Sequence, residues 1–328
     1  MIGRDKIRWG ILGTGRRAGQ FAQALRETSR GTLVAVGSRS VETADLFVAT
    51  FGIPRRHGSY EALLDDPDVD ALYIATPHAA HAQWAIRGAE AGKHLLVERP
   101  LALNSAEGMA IVEAARQNDV FLMEGGAFRY HPQVERLTDL LAQRAVGEIT
   151  LIRAACGFRA AVPPGNRLFD NRLGGGSILE LGGDLVALAC RAAAAALRTE
   201  TAEPLDLFGA GHVGTTRVDE SAAALLRFPG GLCAQLACSI RDDLENEAVF
   251  DGTEGRLVLA APGANGAAER LLLLYAAGQT EPRQFRFPSA RSPLAAEAEA
   301  VADFLQAHQC PARTWEESLI TLRALDRW

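Results

Sequence analysis

Short apolar runs and helical segments alternate along approximately the first 125 residues of this 328-residue chain. Ile7–Leu12 reads as a strand, and a helical pattern follows it through Phe21, Ala22, Ala24 and Leu25. Leu33–Gly37, Ala71–Ala75, Leu95–Val97 and Val120–Met123 read as further strands, with helical stretches over Val41–Phe51, Glu61–Leu64, His81–Gly92 and Ala106–Asn118 between them. A strand followed by a helix and another strand is the connection that parallel pairing requires. The alternation therefore predicts a parallel sheet with right-handed crossovers. The fourth run ends abruptly in Glu98-Arg99-Pro100, where proline holds the residue before it extended. Ligands of such sheets bind at the carboxyl ends of the strands, so this corner is a candidate site.

The character changes after Gly125-Gly126. Thr150–Ala155, Ala222–Phe228, Leu232–Ile240, Ala248–Phe250, Arg256–Ala260 and Leu271–Tyr275 are longer β-type runs, separated by turns such as Pro229-Gly230-Gly231 and Gly252-Thr253-Glu254-Gly255. Period-2 alternation with short turns predicts a mostly antiparallel sheet. A long helix from Ser177 to about Leu197 interrupts it, and Pro293–His308 and Trp315–Asp326 read as closing helices. The fold class is α/β, with one domain over residues 1–126 and a second over 127–328.

Gly13-Thr14-Gly15-Arg16-Arg17-Ala18 follows the first strand and opens the first helix. In that position the first glycine permits a tight turn, the second lets the backbone approach a pyrophosphate, and Ala18 keeps helix and strand close. The N–H groups at the helix start then face the phosphates. This predicts a dinucleotide-binding domain, with Arg16 and Arg17 adding positive potential. The end of the second strand indicates which dinucleotide. An acid there would take a ribose 2′-hydroxyl, whereas this chain has Ser38-Arg39-Ser40 and no acid until Glu42. An arginine flanked by hydroxyls suits a 2′-phosphate, so NADP is expected, with NAD as the alternative.

Bulk properties narrow the remaining classes. A formal net charge of −6 with no block of basic residues argues against nucleic acid as a partner. No apolar stretch is long enough to span a bilayer and the first eight residues lack a signal-like apolar core, so a cytoplasmic protein is expected. The five cysteines are odd in number and form no C-x-x-C pair, which reads as buried thiols rather than disulfides or a metal site; no metal is expected.

Taken with Tyr73-Ile74-Ala75-Thr76-Pro77, His81, Glu90-Ala91-Gly92-Lys93-His94, Glu98-Arg99-Pro100, Phe128-Arg129-Tyr130-His131-Pro132 and Leu173-Gly174-Gly175-Gly176-Ser177, the chain resembles the Gfo/Idh/MocA oxidoreductases, the family of glucose–fructose oxidoreductase and inositol dehydrogenase. The resemblance implies a Rossmann domain followed by a domain with an open sheet that often mediates oligomer contacts, hence a homo-oligomer. It also implies NAD(P)-linked oxidation or reduction of a sugar, polyol or related small carbonyl compound.

Three positions depart from the family's pattern. Arg99 stands where the family usually has a lysine that shares in proton transfer. Glu180 and Asp184 stand where it commonly has an aspartate followed four residues later by a histidine or tyrosine. His78 stands where an asparagine often follows Thr76-Pro77. An arginine stays protonated, so Arg99 can polarise an oxygen but cannot relay a proton. Asp184 becomes the candidate proton acceptor. On an α-helix, Glu180 would share its face and raise one of the two pKa values. Ser177-x-x-Glu180 also fits a capping box, which would make Glu180 structural. The resemblance places Thr76, Pro77, His78, His81, Glu98 and Arg99 near the cofactor. It makes Arg129, His131, Arg159, Asn166 and Arg167 candidates for substrate contact. A second reading is a nucleotide-binding sensor whose catalysis has drifted away.

Overall fold

The computed structural model describes residues 6–162, 165–260, 269–288 and 292–328. It divides into two compact units, Met1–Ala127 with Arg291–Ser318, and Phe128–Ala290 with Leu319–Trp328.

The first unit contains the strands β1 (Ile7–Leu12), β2 (Gly31–Gly37), β3 (Arg55–His57), β4 (Ala71–Ile74), β5 (His94–Val97) and β6 (Leu122–Glu124). Its helices are α1 (Arg16–Ala24), α2 (Val41–Phe51), α3 (Tyr60–Leu64), α4 (His81–Glu90) and α5 (Ser105–Gln117). The strands are all parallel, in the order β3-β2-β1-β4-β5-β6, the doubly wound order of a dinucleotide-binding sheet. Their aliphatic side chains are buried because helices cover both faces. Trp9, Phe21 and Tyr73 form an aromatic centre. Phe21 stacks on Tyr73 at 3.8 Å between centroids and meets Trp9 edge-on at 5.2 Å.

The segment Arg291–Ser318 belongs with this first unit rather than with the second, where the sequence boundary had put it. The helix Pro293–Phe304 buries Leu294, Ala295, Ala298 and Val301, and Glu297 accepts the Gly126 N–H at 2.6 Å. Leu122 N–H donates to the His308 carbonyl at 2.8 Å, and Glu124 forms a buried ion pair with Arg313. These are contacts of high sequence separation, which a local pattern cannot reveal.

The second unit holds α6 (Pro132–Ala142), β7 (Ile149–Gly157), α7 (Gly183–Leu197), β8 (Asp206–Val213), β9 (Asp219–Arg227), β10 (Cys233–Ser239), β11 (Glu247–Gly252), β12 (Gly255–Ala260), β13 (Glu269–Ala276) and β14 (Arg283–Pro288). Its sheet runs β14-β13-β12-β11-β7-β10-β9-β8, antiparallel except where β7 meets β10. In β9 and β10, Ala222, Ala224, Leu226, Ala234, Leu236 and Cys238 are buried on one face, while Phe208 of β8 and its partner Leu225 are exposed on the other. The helix expected from Ser177 begins instead with a π-helical turn, Ile178–Gly182, before α7.

Candidate functional site

In the first unit the strands end in register, so their carboxyl termini form one edge. Leu12 lies beside Gly37 and Ile74, Ile74 beside Val97, and Val97 beside Glu124. The ladder continues one residue further. Gly13 N–H donates to Gly37 O (2.9 Å), Ala75 N–H to Leu12 O (3.0 Å), Glu98 N–H to Ile74 O (3.0 Å) and Gly125 N–H to Val97 O (2.6 Å). The glycine turn, Ser38, Thr76 and Glu98-Arg99 are thereby aligned along the edge where this kind of sheet takes a nucleotide.

The residues of this edge fit a dinucleotide. Gly13 sits at φ +104°, and a Cβ there would come within 2.9 Å of the Ala75 carbonyl oxygen, so the turn requires glycine. A Cβ on Gly15 would meet nothing within 4 Å, which leaves the backbone open to close approach beside Thr14. Gly15 caps α1 without a side-chain hydrogen bond, so the first N–H groups of the helix have no side-chain acceptor there. Ala18 is fully buried where α1 meets the sheet. At the end of β4, the buried Thr76 hydroxyl finds no hydrogen-bond partner among the described residues, as expected of a group that awaits a ligand.

Glu98 organises the middle of the edge. Its Oε1 accepts the Tyr73 hydroxyl, and Arg17 Nε donates to the same oxygen at 3.0 Å. Burial alone would raise the Glu98 pKa. Arg17, Arg99, the Tyr73 hydrogen bond and His81 outweigh it and hold the carboxyl below its ordinary range. Burial, with the Glu98 charge next in size, pushes the Tyr73 phenol well above its usual value, so Tyr73 is a neutral donor. Arg17, expected to add positive potential beside the glycine loop, ties the first turn of α1 to Glu98 through its Nε, and Arg16 is exposed.

His81 is fully buried, with Nδ1 2.8 Å from Pro100 O and Nε2 3.0 Å from Thr76 O. A neutral ring donates to one of these carbonyls at a time. Burial lowers its pKa although both carbonyls favour the proton. It ties the Thr76-Pro77 loop to the Arg99-Pro100 corner, and the ring of buried His78 lies 5.7 Å away edge-on. Arg99 is half-buried at the strand end.

At the end of β2, Ser38 is buried and Arg39 exposed. Burial raises the Tyr60 phenol's pKa, and the nearby Arg39 charge partly opposes the rise. Ser40 caps α2, its Oγ accepting the Thr43 N–H at 3.3 Å, and the same hydroxyl donates to Glu42 at 2.6 Å.

In the second unit, Arg167 meets Glu180 through two contacts, Nη1–Oε2 at 2.9 Å and Nη2–Oε1 at 3.1 Å. The capping box does not form. Asp219 of β9 takes its place, accepting the Ser177 hydroxyl at 2.8 Å and the Ile178 N–H at 2.7 Å. Gly176 lies against Asp219 at φ +110°. The segment from Glu180 to Asp184 opens in a π-helical turn, Ile178–Gly182, where the sequence suggested α-helix. Such turns recur at functional sites. Asp184 lies in the first turn of α7.

The other candidate substrate contacts all belong to the second unit. His131 caps α6, its Nδ1 accepting the Gln133 N–H at 3.2 Å, and burial with the nearby Arg270 lowers its pKa to about 4. Arg129 is buried, Asn166 caps the turn at Leu168, and exposed Arg159 sits where Asp243 accepts its N–H. Tyr73, Thr43 and Asp219 were missed by sequence reasoning. Only Tyr73 left a trace there, as a hydroxyl inside an otherwise aliphatic strand. No group of three metal-ligating side chains occurs among the described residues, and no described helix is long and apolar enough to cross a membrane.

Comparison with known proteins places both halves. The model of an oxidoreductase family with an NAD-binding Rossmann fold, Gfo/Idh/MocA, matches residues 7–126, and that of the Gfo/Idh/MocA C-terminal domain matches residues 134–258. Trans-1,2-dihydrobenzene-1,2-diol dehydrogenase of Mus musculus is 36% identical over 251 residues, 76% of this chain and 73% of its own. The Danio rerio enzyme of the same name is 35% identical over 257 residues, 78% of this chain and 75% of its own. Among solved structures, a 3-ketoreductase from Actinomadura kijaniata in complex with NADP and TDP-benzene is similar with a TM-score of 0.86 at 28% identity, covering 98% of this chain and 96% of that one. The chain therefore belongs to the Gfo/Idh/MocA family of NAD(P)-binding oxidoreductases.

Proposed function

We propose that this protein is an NADP(H)-dependent oxidoreductase that interconverts a ring alcohol and ketone on a small cyclic diol, sugar or polyol. The observation that carries the cofactor half is Arg39, exposed at the end of β2 with no acid at the neighbouring strand-end positions. The names of the relatives support the substrate half, since a dihydrobenzenediol dehydrogenase and a 3-ketoreductase both imply C–OH/C=O chemistry.

The bound nicotinamide would supply or accept the hydride. The chain's own residues do the rest. Gly13, Thr14, Gly15 and the start of α1 receive the pyrophosphate, Ser38, Arg39 and Ser40 receive the 2′-phosphate, and the Thr76 hydroxyl donates to the nucleotide. Glu98 and His81 fix the corner from which Arg99 acts. Arg99 keeps its charge and stabilises the reacting oxygen electrostatically without moving a proton. Glu180 is held by Arg167, so the proton role falls to Asp184 in the second unit. Arg159, Asn166, Arg167, Arg129 and His131 are the candidates for substrate contact. The uncovered sheet face around Phe208 and Leu225, 69% and 49% exposed, suits a second copy of the chain.

The test is NADPH oxidation and NADP⁺ reduction over a panel of cyclic vicinal diols, sugars and cyclic ketones. Turnover on at least one class is expected, and Arg99→Lys, which restores a group able to relay protons, should raise it on family-type substrates. NADPH binding without turnover by either form would instead favour a nucleotide sensor.

A further inference from the structure

We propose that Glu42 is a specificity-determining residue that works against the 2′-phosphate, so that the cofactor site discriminates NADP(H) from NAD(H) less sharply than Arg39 alone would. The inference rests on the 2′-phosphate reading of Arg39.

It follows from counting hydroxyl protons around the β2–α2 turn. Thr43 Oγ1 donates to the Ser40 carbonyl at 3.1 Å, so in its 2.5 Å contact with Ser38 Oγ the proton must come from Ser38. The Ser40 hydroxyl accepts the Thr43 N–H and gives its own proton to Glu42 Oε2 at 2.6 Å. All three protons are therefore committed within the turn. The one given by Ser40 is the only one of them held by an exposed, charged group. A phosphate that reaches Ser40 has to displace Glu42, and the carboxylate remains tethered three residues from Arg39. The Ser40 hydrogen bond holds the Glu42 pKa below its ordinary value, so the opposing charge is fully developed at neutral pH. The sequence shows an acid four residues after Ser38 without indicating that it turns back onto the loop.

Equilibrium titrations of the purified protein test this, with NADPH and NADH and with the fragments 2′,5′-ADP and 5′-AMP, followed by quenching of intrinsic fluorescence. The variants are Glu42→Gln and Arg39→Ala. A carboxylate beside a multiply charged phosphate in water should weaken binding by roughly three- to tenfold. Glu42→Gln should therefore tighten NADPH and 2′,5′-ADP by that factor, leave NADH and 5′-AMP unchanged, and lose the effect as salt rises. An unchanged NADPH-to-NADH ratio in Glu42→Gln, while Arg39→Ala still weakens NADPH selectively, would overturn the inference and leave the cofactor reading standing. Weaker NADH binding in Glu42→Gln would also overturn it, because Glu42 would then be accepting a ribose hydroxyl. If Arg39→Ala weakens NADPH and NADH equally, the cofactor reading fails and this inference fails with it.

Discussion

Replacing Tyr73 with phenylalanine deletes one oxygen and leaves the aromatic centre intact, since the ring can keep its 3.8 Å stack on Phe21. What is lost is a hydrogen bond to a buried carboxylate. Such bonds to charged groups contribute about 1.5–3 kcal/mol. Arg17 still donates to the same oxygen at 3.0 Å, so the lower half of that range applies. With a urea dependence of about 1–3 kcal/mol per molar, the unfolding midpoint should fall by about 1 M. Tryptophan fluorescence suits the assay, because Trp9, Trp84 and Trp315 of the four tryptophans lie in the first unit. The loss should also depend on pH. The folded pKa of Glu98 lies below its unfolded value, so the group contributes stability above the unfolded pKa, and that contribution disappears as pH falls through the folded one. The gap between wild type and Tyr73→Phe should therefore be full at neutral pH and smaller at an acid pH below the ordinary carboxyl range of about 4. A midpoint shift below about 0.2 M, or one of equal size at both pH values, would refute the role given to this pair.

Two further perturbations follow from the geometry. Gly13→Ala forces a Cβ to within 2.9 Å of Ala75 O at φ +104°, and should abolish nucleotide binding in a titration while the second unit still folds by circular dichroism. His131 is lowered to about 4 from 6.5, so the unfolded chain binds a proton that the folded chain refuses, and stability should fall as pH drops from 6.5 towards 4. His131→Asn keeps an N-cap acceptor without a titrating group, and urea midpoints at pH 7 and pH 5 should differ less in the variant than in wild type.

Most of the first unit could be read from its sequence because its strands are aliphatic, its connections are short and its glycine turn sits where strand becomes helix. β3 escaped because it is three polar residues at the sheet edge, Arg55-Arg56-His57, with no alternation to detect. β8 escaped for a related reason: DLFGAGHV carries two glycines and is largely exposed, so period-2 burial never develops. At the site, residue types that the backbone itself aligns were legible, namely Gly13, Ser38, Thr76 and Glu98. Pairings that depend on tertiary approach were not. Ser177-x-x-Glu180 has the local form of a capping box, and Asp219, forty-two residues further on, displaces it. The Glu180 carboxylate then turns to Arg167, which the sequence offered only as a substrate contact.

The central claim is that this chain transfers a hydride between NADP(H) and a ring carbon. The most direct measurement uses NADPH carrying deuterium at C4, in each stereochemical form, incubated with the full-length protein and a cyclic ketone from the panel, followed by mass spectrometry of the product. The account predicts one deuterium on the new carbinol carbon from one of the two labelled forms. Tight NADPH binding with no label in any product would contradict it.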